Sequence, residues 1–227
     1  MKVLVINPNT TQSMTKKIAV AAQAVARPDT EIIAANSQNG PASIEGFLDV
    51  ATCVPGLLAE VAQHPDVDAI VIACFDDTGL DAVRASVSVP VLGIGEAAYH
   101  AASMVATKFS VITTLSRSVP GLESNLMRYG LAQKCGRVRA TDIPVLKLEE
   151  GDGETLMTIR AEIRKAITED RAEAIVLGCA GMANLMAQLS DEFGLPVIDG
   201  VAAGVSFAEA LVNNQLSTSK IGAYATQ

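Results

Sequence analysis

Two cysteines occupy matching positions at the ends of two similar apolar runs. Cys74 ends the run Ala69–Cys74 (AIVIAC), and Cys179 ends the run Ala174–Cys179 (AIVLGC). Short apolar runs rich in Val and Ile are typical of strands that are buried on both faces of a parallel sheet. Because ligands bind beyond the carboxyl ends of such strands, we expect both thiols to lie at a ligand-binding edge.

Two thiols that face one carbon centre from opposite sides suit the racemisation of a carbon acid. One group removes a proton from one face, the other delivers a proton to the opposite face, and the roles are exchanged for the other enantiomer. Small or polar residues follow both cysteines, at positions 75–79 and 180–183, and predict helix starts there. Since a helix N-terminus stabilises a thiolate, we expect the pKa of both thiols to lie below the usual value of about 8.5.

The two remaining cysteines carry no such pattern. Cys53 lies in a helical pattern and Cys135 in a Lys-Cys-Gly turn, and we interpret both as structural, since a lone cysteine is usually a small buried hydrophobe. The four cysteines form no C-x-x-C pair, and neither His64 nor His100 has metal-ligand spacing to another residue. The sequence therefore predicts neither a disulfide framework nor a metal site.

The sequence contains an internal duplication. The two runs that end in cysteine are 105 residues apart (179 − 74). Pro90–Leu92 returns as Pro196–Ile198, and Lys2–Ile6 returns as Lys108–Ile112, each at a distance of 106 residues (196 − 90 and 108 − 2). Because three separate strand positions share nearly one offset, the sequence predicts two similar halves.

Strand-like runs alternate with Ala-rich helical patterns, which predicts an α/β fold of two pseudo-symmetric, Rossmann-like halves, each with a mainly parallel sheet. We expect residues 1–96 plus 205–227 to form the first half, residues 97–204 to form the second, and the active site to lie in the cleft between them. The predicted strands are Lys2–Ile6, Glu31–Ala35, Ala69–Ala73, Val89–Ile94, Phe109–Thr113, Arg137–Ile143, Ala174–Gly178 and Pro196–Ile198. The predicted helices are Thr11–Ala26, Phe47–Gln63, Gly79–Ser86, Ala97–Ala106, Gly121–Tyr129, Gly153–Asp170, Ala183–Phe193 and Val201–Asn213, with a turn at Gly151–Glu154.

The composition argues against several other classes of protein. The chain has 227 residues, of which 49% are hydrophobic and 19% charged, and its formal net charge is -8. The absence of a basic run argues against binding to nucleic acid or to an anionic membrane. The apolar run at the N-terminus is too short for a signal peptide, and no stretch approaches the roughly 18 apolar residues of a membrane helix. We therefore expect a cytoplasmic protein.

Two other motifs could carry chemistry. Gly93–Ala98 spells G-x-G-x-x-A between a strand and a helix, as in dinucleotide-binding folds. However, it follows a fourth strand and not a first one, and the next strand ends without an acidic residue, so we interpret it as a tightly packed helix start. Asp76 and Asp77 are adjacent carboxylates in a loop, and we expect one of them to cap the helix that follows.

Three motifs resemble the aspartate/glutamate/hydantoin racemase superfamily. They are Ile6–Thr10 (INPNT), Ala73–Leu80 (ACFDDTGL) and Leu177–Met182 (LGCAGM). Their form is similar to that of the hydantoin and allantoin racemase branch. The amino-acid racemases of the superfamily usually carry Cys-Asn-Thr and Gly-Cys-Thr-His at the two cysteines. This departure argues against free aspartate or glutamate as the substrate.

The resemblance implies two Rossmann-like halves, no metal, no cofactor, and Cys74 and Cys179 as the acid/base pair. The expected substrate contacts are Asn9, Thr78, Thr114, Ala180 and Gly181, joined by Pro41 and Ser43 from the loop after the second strand. Removal of the C5 proton of a hydantoin gives an enolate, and Thr, Asn and backbone N–H donors would stabilise its oxygen. We expect the 5-substituent in an apolar pocket near Ile44, Phe47 or Phe75.

The leading hypothesis is a racemase of 5-substituted hydantoins, a small-molecule enzyme that we expect to form a homo-oligomer. Allantoin is the nearest alternative substrate. A maleate isomerase, a decarboxylase or an aspartate/glutamate racemase is a further possibility. The decarboxylases of the superfamily typically keep one of the two cysteines, and this chain has both. A maleate isomerase would need groups for two carboxylates, and the nearest arginine after Cys74 is Arg84. A non-catalytic binding module is the third class, and it would have no need of both thiols.

Overall fold

The computed structural model describes residues 1–149 and 153–225 as an α/β fold. The strands are β1 (Lys2–Asn7), β2 (Glu31–Asn36), β3 (Ala69–Ile72), β4 (Val91–Gly93), β5 (Phe109–Thr113), β6 (Cys135–Ala140), β7 (Ala174–Leu177) and β8 (Val197–Asp199). The helices are α1 (Gln12–Val25), α2 (Phe47–Val61), α3 (Leu80–Ser86), α4 (Ile94–Val105), α5 (Val119–Arg128), α6 (Gly153–Glu169), α7 (Met186–Phe193) and α8 (Gly200–Asn213). Short 3₁₀ helices span Ser116–Ser118, Val145–Glu149 and Ala180–Leu185.

The strands form two parallel four-stranded sheets with the same order. The first sheet runs β2-β1-β3-β4 and the second β6-β5-β7-β8. In the first, Val3 lies opposite Ala69, and in the second, Phe109 lies opposite Ala174. The central strands β3 and β7 are buried along their whole length, which is why they read as continuous apolar runs. The predicted fold and its duplication are confirmed.

Element boundaries differ from the sequence predictions at a few points. Cys135 begins β6 and pairs with Phe109, so its assignment to a turn was wrong. The helix expected from Ala183 begins at Met186, because a 3₁₀ helix occupies Ala180–Leu185. Of the turn predicted at Gly151–Glu154, residues 151 and 152 lie outside the described part of the chain.

The two halves exchange their last helices. Helix α4 follows the first sheet in the chain but packs against β7, and α8 follows the second sheet but packs against β3. The helices meet where a Cβ on Gly200 would lie 2.6 Å from the carbonyl oxygen of Ile94. Thr218, beyond α8, donates its backbone N–H to Ser88 (2.9 Å) and its hydroxyl to Val89 (2.7 Å). These contacts support the division into 1–96 plus 205–227 and 97–204, which we keep as a proposal.

Asp77 caps a different helix from the one that follows it. Its carboxylate accepts hydrogen bonds from the backbone N–H groups of Gly95 (2.8 Å) and Glu96 (2.7 Å), at the start of α4. Tyr129 donates its hydroxyl to the same carboxylate at 2.8 Å. Helix α3 starts after Gly79 without a side-chain cap. The expected cap of the following helix was therefore wrong, because the end of β4 places the N-terminus of α4 beside Asp77.

The capping by Asp77 explains the G-x-G-x-x-A motif. A Cβ on Gly93 would lie 2.0 Å from a carboxylate oxygen of Asp77, and one on Gly95 would lie 2.4 Å from the carbonyl oxygen of Phe75. Since neither position has room for a side chain, both glycines serve close packing. The interpretation of the motif as a tightly packed helix start agrees with this geometry.

Within the described ranges, 1–149 and 153–225, none of the helices combines the length and the apolar composition needed to cross a membrane.

Candidate active site

One cavity lies at the carboxyl ends of the central strands of both sheets. In each sheet the second strand is added on one side of the first strand and the third strand on the other side, so the strand order switches between them. Open α/β sheets bind ligands at such topological switch points. The cavity holds about 440 Å³ of empty space, its open mouth included. It is lined by Asn7, Asn9, Met14, Ile44, Ala73, Cys74, Phe75, Asp76, Thr113, Thr114, Ser118, Val145, Gly178, Cys179 and Ala180.

Both sequence-predicted cysteines line this cavity, one from each half. The sulfur of Cys74 lies 3.6 Å from the hydroxyl of Thr78 and accepts a hydrogen bond from the backbone N–H of Asp76. The sulfur of Cys179 accepts one from the backbone N–H of Gly181. Each sulfur thus accepts an N–H from the residue two positions further on, and both cysteines are free and, as whole residues, half-buried. The duplicated fold therefore delivers two equivalent thiols to one cavity.

The expectation of lowered thiol pKa values was wrong. Burial raises the pKa of Cys74 well above its ordinary value, and the negative charge of Asp76 adds to this. Burial likewise raises the pKa of Cys179 to about 12, although the N–H of Gly181 opposes the shift. The physical reason is that desolvation disfavours a thiolate more than one or two backbone donors favour it. No helix starts directly after Cys74, since α3 begins only at Leu80.

These raised pKa values predict an alkaline pH profile. Only the thiolate can remove a proton from carbon, and below the thiol pKa its population rises about tenfold for each pH unit. Because burial raises the pKa of Cys179 to about 12, we expect kcat/KM to keep rising from pH 7 to at least pH 9. Initial rates of loss of optical rotation from a pure enantiomer of a carbon acid, measured across this range, test the expectation. A plateau already reached near pH 7.5 would show that the working thiol titrates low.

Asn9 lies in the cavity with its amide held in one orientation. Its carbonyl oxygen accepts hydrogen bonds from the side chain of Asn7 (2.8 Å) and the backbone N–H of Thr11 (2.9 Å). Its NH2 group contacts the sulfur of Met14 at 3.3 Å, which is a weak acceptor. Because the oxygen is occupied by protein donors, the side chain of Asn9 can offer a substrate only its N–H groups. It is a donor for a carbonyl or enolate oxygen.

Thr114 and Ala180 also line the cavity, as the sequence predicts. Thr114 accepts the backbone N–H of Asp142 at its carbonyl, at 2.7 Å. The neighbouring Thr113 donates its hydroxyl to the carbonyl of Gly178 at 3.1 Å and ties the ends of β5 and β7 together. The second half thus contributes a hydroxyl beside its thiol.

Four of the predicted contacts do not line the cavity. Thr78 and Gly181 contact the sulfurs of the two cysteines from the protein side. Pro41 accepts the N–H of Thr10 at 3.1 Å, so the loop that carries it packs on the end of β1. Ser43 lies in the same loop, outside the lining. This loop reaches the cavity instead with Ile44, one of the residues expected near the 5-substituent.

An ion pair joins the two halves beside Ile44. Glu45 pairs with Arg117 and accepts the backbone N–H of Val145 at 3.0 Å, so it joins the loop of the first half to the second half. Sequence reasoning missed these partners, since Arg117 and Val145 lie 72 (117 − 45) and 100 (145 − 45) residues beyond Glu45. No local pattern marked them, and only the packing of the two halves brings them together.

A second cavity adjoins the first through Asp76 and Ser118, which line both. Phe47 and Val50 supply its apolar wall, as expected for Phe47. Its remaining lining is polar or small: Gly46, Arg117, Gly121, Ser124 and Asn125. The predicted apolar pocket therefore has a mixed lining of apolar, small and polar residues. Phe75 lines the first cavity and packs edge-on against Tyr99, with ring centroids 5.3 Å apart.

Two similar α/β halves, each contributing one thiol to a shared cavity, form the arrangement expected of a cofactor-independent racemase. A family model described as Asp/Glu/Hydantoin racemase matches residues 3–208. The chain belongs to the Asp/Glu/hydantoin racemase family, which confirms the resemblance seen in its motifs.

Several proteins named as racemases are similar to this chain. It is 49% identical to the hydantoin racemase of Rhizobium meliloti, over 99% of this chain and 94% of that protein. The structure of an allantoin racemase from Klebsiella pneumoniae superposes with a TM-score of 0.97 at 46% identity, covering 100% of this chain and 94% of that one. A glutamate racemase from Campylobacter jejuni subsp. jejuni, at 23% identity and a TM-score of 0.64 over 92% and 85% of the two chains, shares the fold.

Proposed function

We propose that this racemase inverts C5 of 5-substituted hydantoins by proton transfer between Cys74 and Cys179. The observation that carries the proposal is the make-up of the cavity, where two thiols from opposite halves meet a lining of amide, hydroxyl and apolar groups. Among the lining residues in the described part of the chain, none is cationic. Such a lining suits a neutral carbon acid, and the hydantoin racemase of Rhizobium meliloti is a close relative.

In the proposed reaction one cysteine is a thiolate and the other a thiol. The thiolate takes the C5 proton, the C5–H electron pair moves into the ring as an enolate, and the thiol on the opposite face then protonates C5. The first cysteine ends as a thiol and the second as a thiolate, so atoms and charge balance. The amide of Asn9, the hydroxyl of Thr114 and the backbone N–H of Ala180 are the donors that we assign to the developing enolate oxygen.

The remaining predicted contacts hold the residues that line the cavity without lining it themselves. We assign Thr78 and Gly181 to positioning the two sulfurs, because the hydroxyl of Thr78 contacts the sulfur of Cys74 and the backbone N–H of Gly181 donates to that of Cys179. Pro41 and Ser43 act through the loop that carries Ile44 into the cavity. The 5-substituent occupies the adjoining cavity, against Phe47.

Allantoin is a second candidate substrate, favoured by one side of the adjoining cavity. A ureido group needs hydrogen-bond partners, and Ser124 and Asn125 line this space together with Phe47. The allantoin racemase of Klebsiella pneumoniae has nearly the same backbone. The same cavity therefore has an apolar wall for benzyl or isobutyl groups and a polar wall for a ureido group.

Dicarboxylate substrates fit the cavity less well. A maleate isomerase or an aspartate/glutamate racemase must bind two carboxylates, yet the lining residues that the structure describes include one carboxylate, Asp76, and no cation. Arg84, the nearest arginine after Cys74 in sequence, pairs with Glu96 at 2.6 Å, and neither lines the cavity. A binding module would have no use for two equivalent thiols.

The test is the loss of optical rotation from pure enantiomers. We expect the protein to racemise 5-benzyl- and 5-isobutylhydantoin, with L-allantoin measured alongside, and to leave L-aspartate and L-glutamate unchanged. The substrate with the higher kcat/KM shows which wall of the adjoining cavity dominates. Inversion of aspartate or glutamate, with none of the hydantoins turned over, would contradict the proposal.

We also propose that the enzyme acts in the cytoplasm and forms a homo-oligomer. The four cysteines are all free thiols, and the proposed reaction needs two of them reduced, which the cytosol maintains. Support for assembly comes from the end of α4, where Met104 and Val105 are exposed apolar residues. Analytical ultracentrifugation reports the oligomeric state directly.

A further inference from the structure

Among the lining residues that the structure describes, Asp76 is the one with a carboxylate, and none is a lysine or an arginine. Its carboxylate accepts no hydrogen bond and joins no ion pair with any residue in the ranges 1–149 and 153–225, and Asn125 contacts only its backbone carbonyl, at 2.9 Å. A partly buried carboxylate without a protein partner is costly. The group is therefore available to a ligand that enters the cavity.

Asp76 breaks the symmetry of the duplicated site. Its counterpart in the second half is Gly181, at the same offset of 105 residues (181 − 76). Both residues donate a backbone N–H to the neighbouring catalytic sulfur, so the shared role of this position needs no side chain. The first half adds a carboxylate to that shared role, and the second half adds nothing. The carboxylate thus serves something other than holding the thiol.

We propose that Asp76 determines substrate specificity by accepting an N–H of a neutral ring substrate and repelling ligands that carry a carboxylate. This role rests on the proposed function, and it would let the enzyme discriminate between a hydantoin and a chemically related carboxylate. A hydantoin is neutral and presents ring N–H donors. Its ring-opened N-carbamoyl amino acid has the same side chain and nearly the same atoms but carries a carboxylate.

Acid–base assistance does not explain this side chain. Its negative charge raises the pKa of both Cys74 and Cys179, and it also disfavours a nearby enolate. Burial raises the pKa of Asp76 itself to about 6, so the carboxylate is charged at the alkaline pH where the thiols work. A group that opposes both charged species of the reaction has to be explained by binding, where a charged acceptor forms a stronger hydrogen bond than a neutral one.

Several titratable groups surround Asp76. The thiols of Cys74 and Cys179 lie in the same cavity, and Arg117 lines the adjoining cavity but is paired with Glu45. The charge of Asp76 also raises the pKa of Cys53 and of Tyr99, although burial is the larger cause for both. Within the described ranges, none of these groups neutralises the carboxylate.

The test compares two ligands in two proteins by calorimetry. 5-Benzylhydantoin and N-carbamoylphenylalanine are titrated into the wild type and into Asp76→Asn, which removes the charge and keeps the shape. We expect the variant to bind the carbamoyl acid at least about tenfold more tightly, because the repulsion between two like charges in one cavity is lost. We expect it to bind the hydantoin about three- to tenfold more weakly, since an amide oxygen is a poorer acceptor than a carboxylate.

Two further readouts separate this role from a structural one. Asp76→Glu, which keeps the charge, is expected to retain the discrimination against the carbamoyl acid. In Asp76→Asn the rise of kcat/KM with pH is expected to begin at lower pH, because the pKa of both thiols falls when the charge is removed. Asp66→Asn is the matched control, an equal charge change at an exposed residue before the amino end of β3, and is expected to change neither property.

The outcomes are distinguishable. If the wild type neither binds nor racemises the hydantoin, the proposed function fails. If it does so, but Asp76→Asn keeps the wild-type ratio of the two affinities, the specificity role of Asp76 is overturned while the proposed function stands.

Discussion

Replacing either Cys74 or Cys179 with serine is expected to remove nearly all racemisation, by at least the ~10²–10⁴-fold usual for one acid/base group. Both thiols line the same cavity, and inversion needs a base on one face and an acid on the other. A serine hydroxyl keeps the size of the group but barely ionises. Each single variant therefore lacks one of the two proton-transfer partners.

Each variant should keep half of the chemistry. In Cys74→Ser the remaining base is Cys179, which can still remove the C5 proton of the enantiomer that presents this proton to it. We expect exchange with deuterated solvent for one enantiomer in Cys74→Ser and for the opposite enantiomer in Cys179→Ser. Mass spectrometry or proton NMR of optically pure hydantoin in D2O measures this.

The other two cysteines supply matched controls. Cys53 is buried in α2 and Cys135 begins β6, and neither lines the cavity. Cys53→Ser and Cys135→Ser are expected to leave the rate within a few-fold of the wild type. Normal racemisation by Cys74→Ser, together with an inactive Cys53→Ser, would mean that the acid/base pair has been wrongly identified.

The largest effect on stability is expected from Arg139→Met. Arg139 is 6% exposed and forms two hydrogen bonds of 2.7 Å to the carboxylate of Asp170. Ser110 donates its hydroxyl to the same carboxylate at 3.0 Å. The arginine on β6 thus joins this strand to the residue that follows α6. Methionine matches much of its volume but leaves the charge of Asp170 buried without its partner.

We expect this substitution to lower the free energy of unfolding by about 3–5 kcal/mol, as for a buried ion pair that loses one member. Urea unfolding followed by circular dichroism measures the change. Arg128→Met is the control, because its ion pair with Asp81 is about half exposed on both sides and should contribute no more than about 1 kcal/mol. A loss no larger than that of the control would show that the Arg139 pair is not structurally important.

The cost of Arg139→Met should also depend on pH. Burial alone would raise the pKa of Asp170, but the hydrogen bonds from Arg139 and Ser110 hold it below its ordinary value. A carboxyl group with a lowered pKa in the folded state stabilises the fold above its unfolded pKa, near 4, and loses this contribution as pH falls through the folded value. The difference between wild type and variant should therefore be largest above about pH 5 and shrink in more acid solution.

Much of the architecture follows from patterns that are local in the sequence. The alternation of apolar strands with amphipathic helices determines the fold class, because the spacing of apolar residues within each segment shows whether it forms a strand or a helix. The offset of about 106 residues predicts two matching halves, and it places Cys74 and Cys179 at equivalent strand ends. Both sheets have the same strand order, so two equivalent positions become two equivalent thiols. Here the sequence alone is sufficient.

Other features depend on which elements become neighbours. Asp77 caps α4 because β4 ends beside it, although the sequence pattern favours the nearer helix. Val145 and Arg117 reach Glu45 only when the two halves meet. Such contacts leave no mark in a local pattern, because the energy that selects them comes from burial and pairing across tens of residues.

The thiol pKa values show the same limit most clearly. The residues after Cys74 and Cys179 suggested stabilised thiolates, and the local donors from Asp76 and Gly181 are indeed present. Burial outweighs them and raises both pKa values. The sequence thus determined which two groups we propose as the proton carriers. The tertiary structure decided how strongly these thiols hold a proton, because desolvation depends on everything that surrounds the sulfur atoms and not on the few residues beside them in the chain.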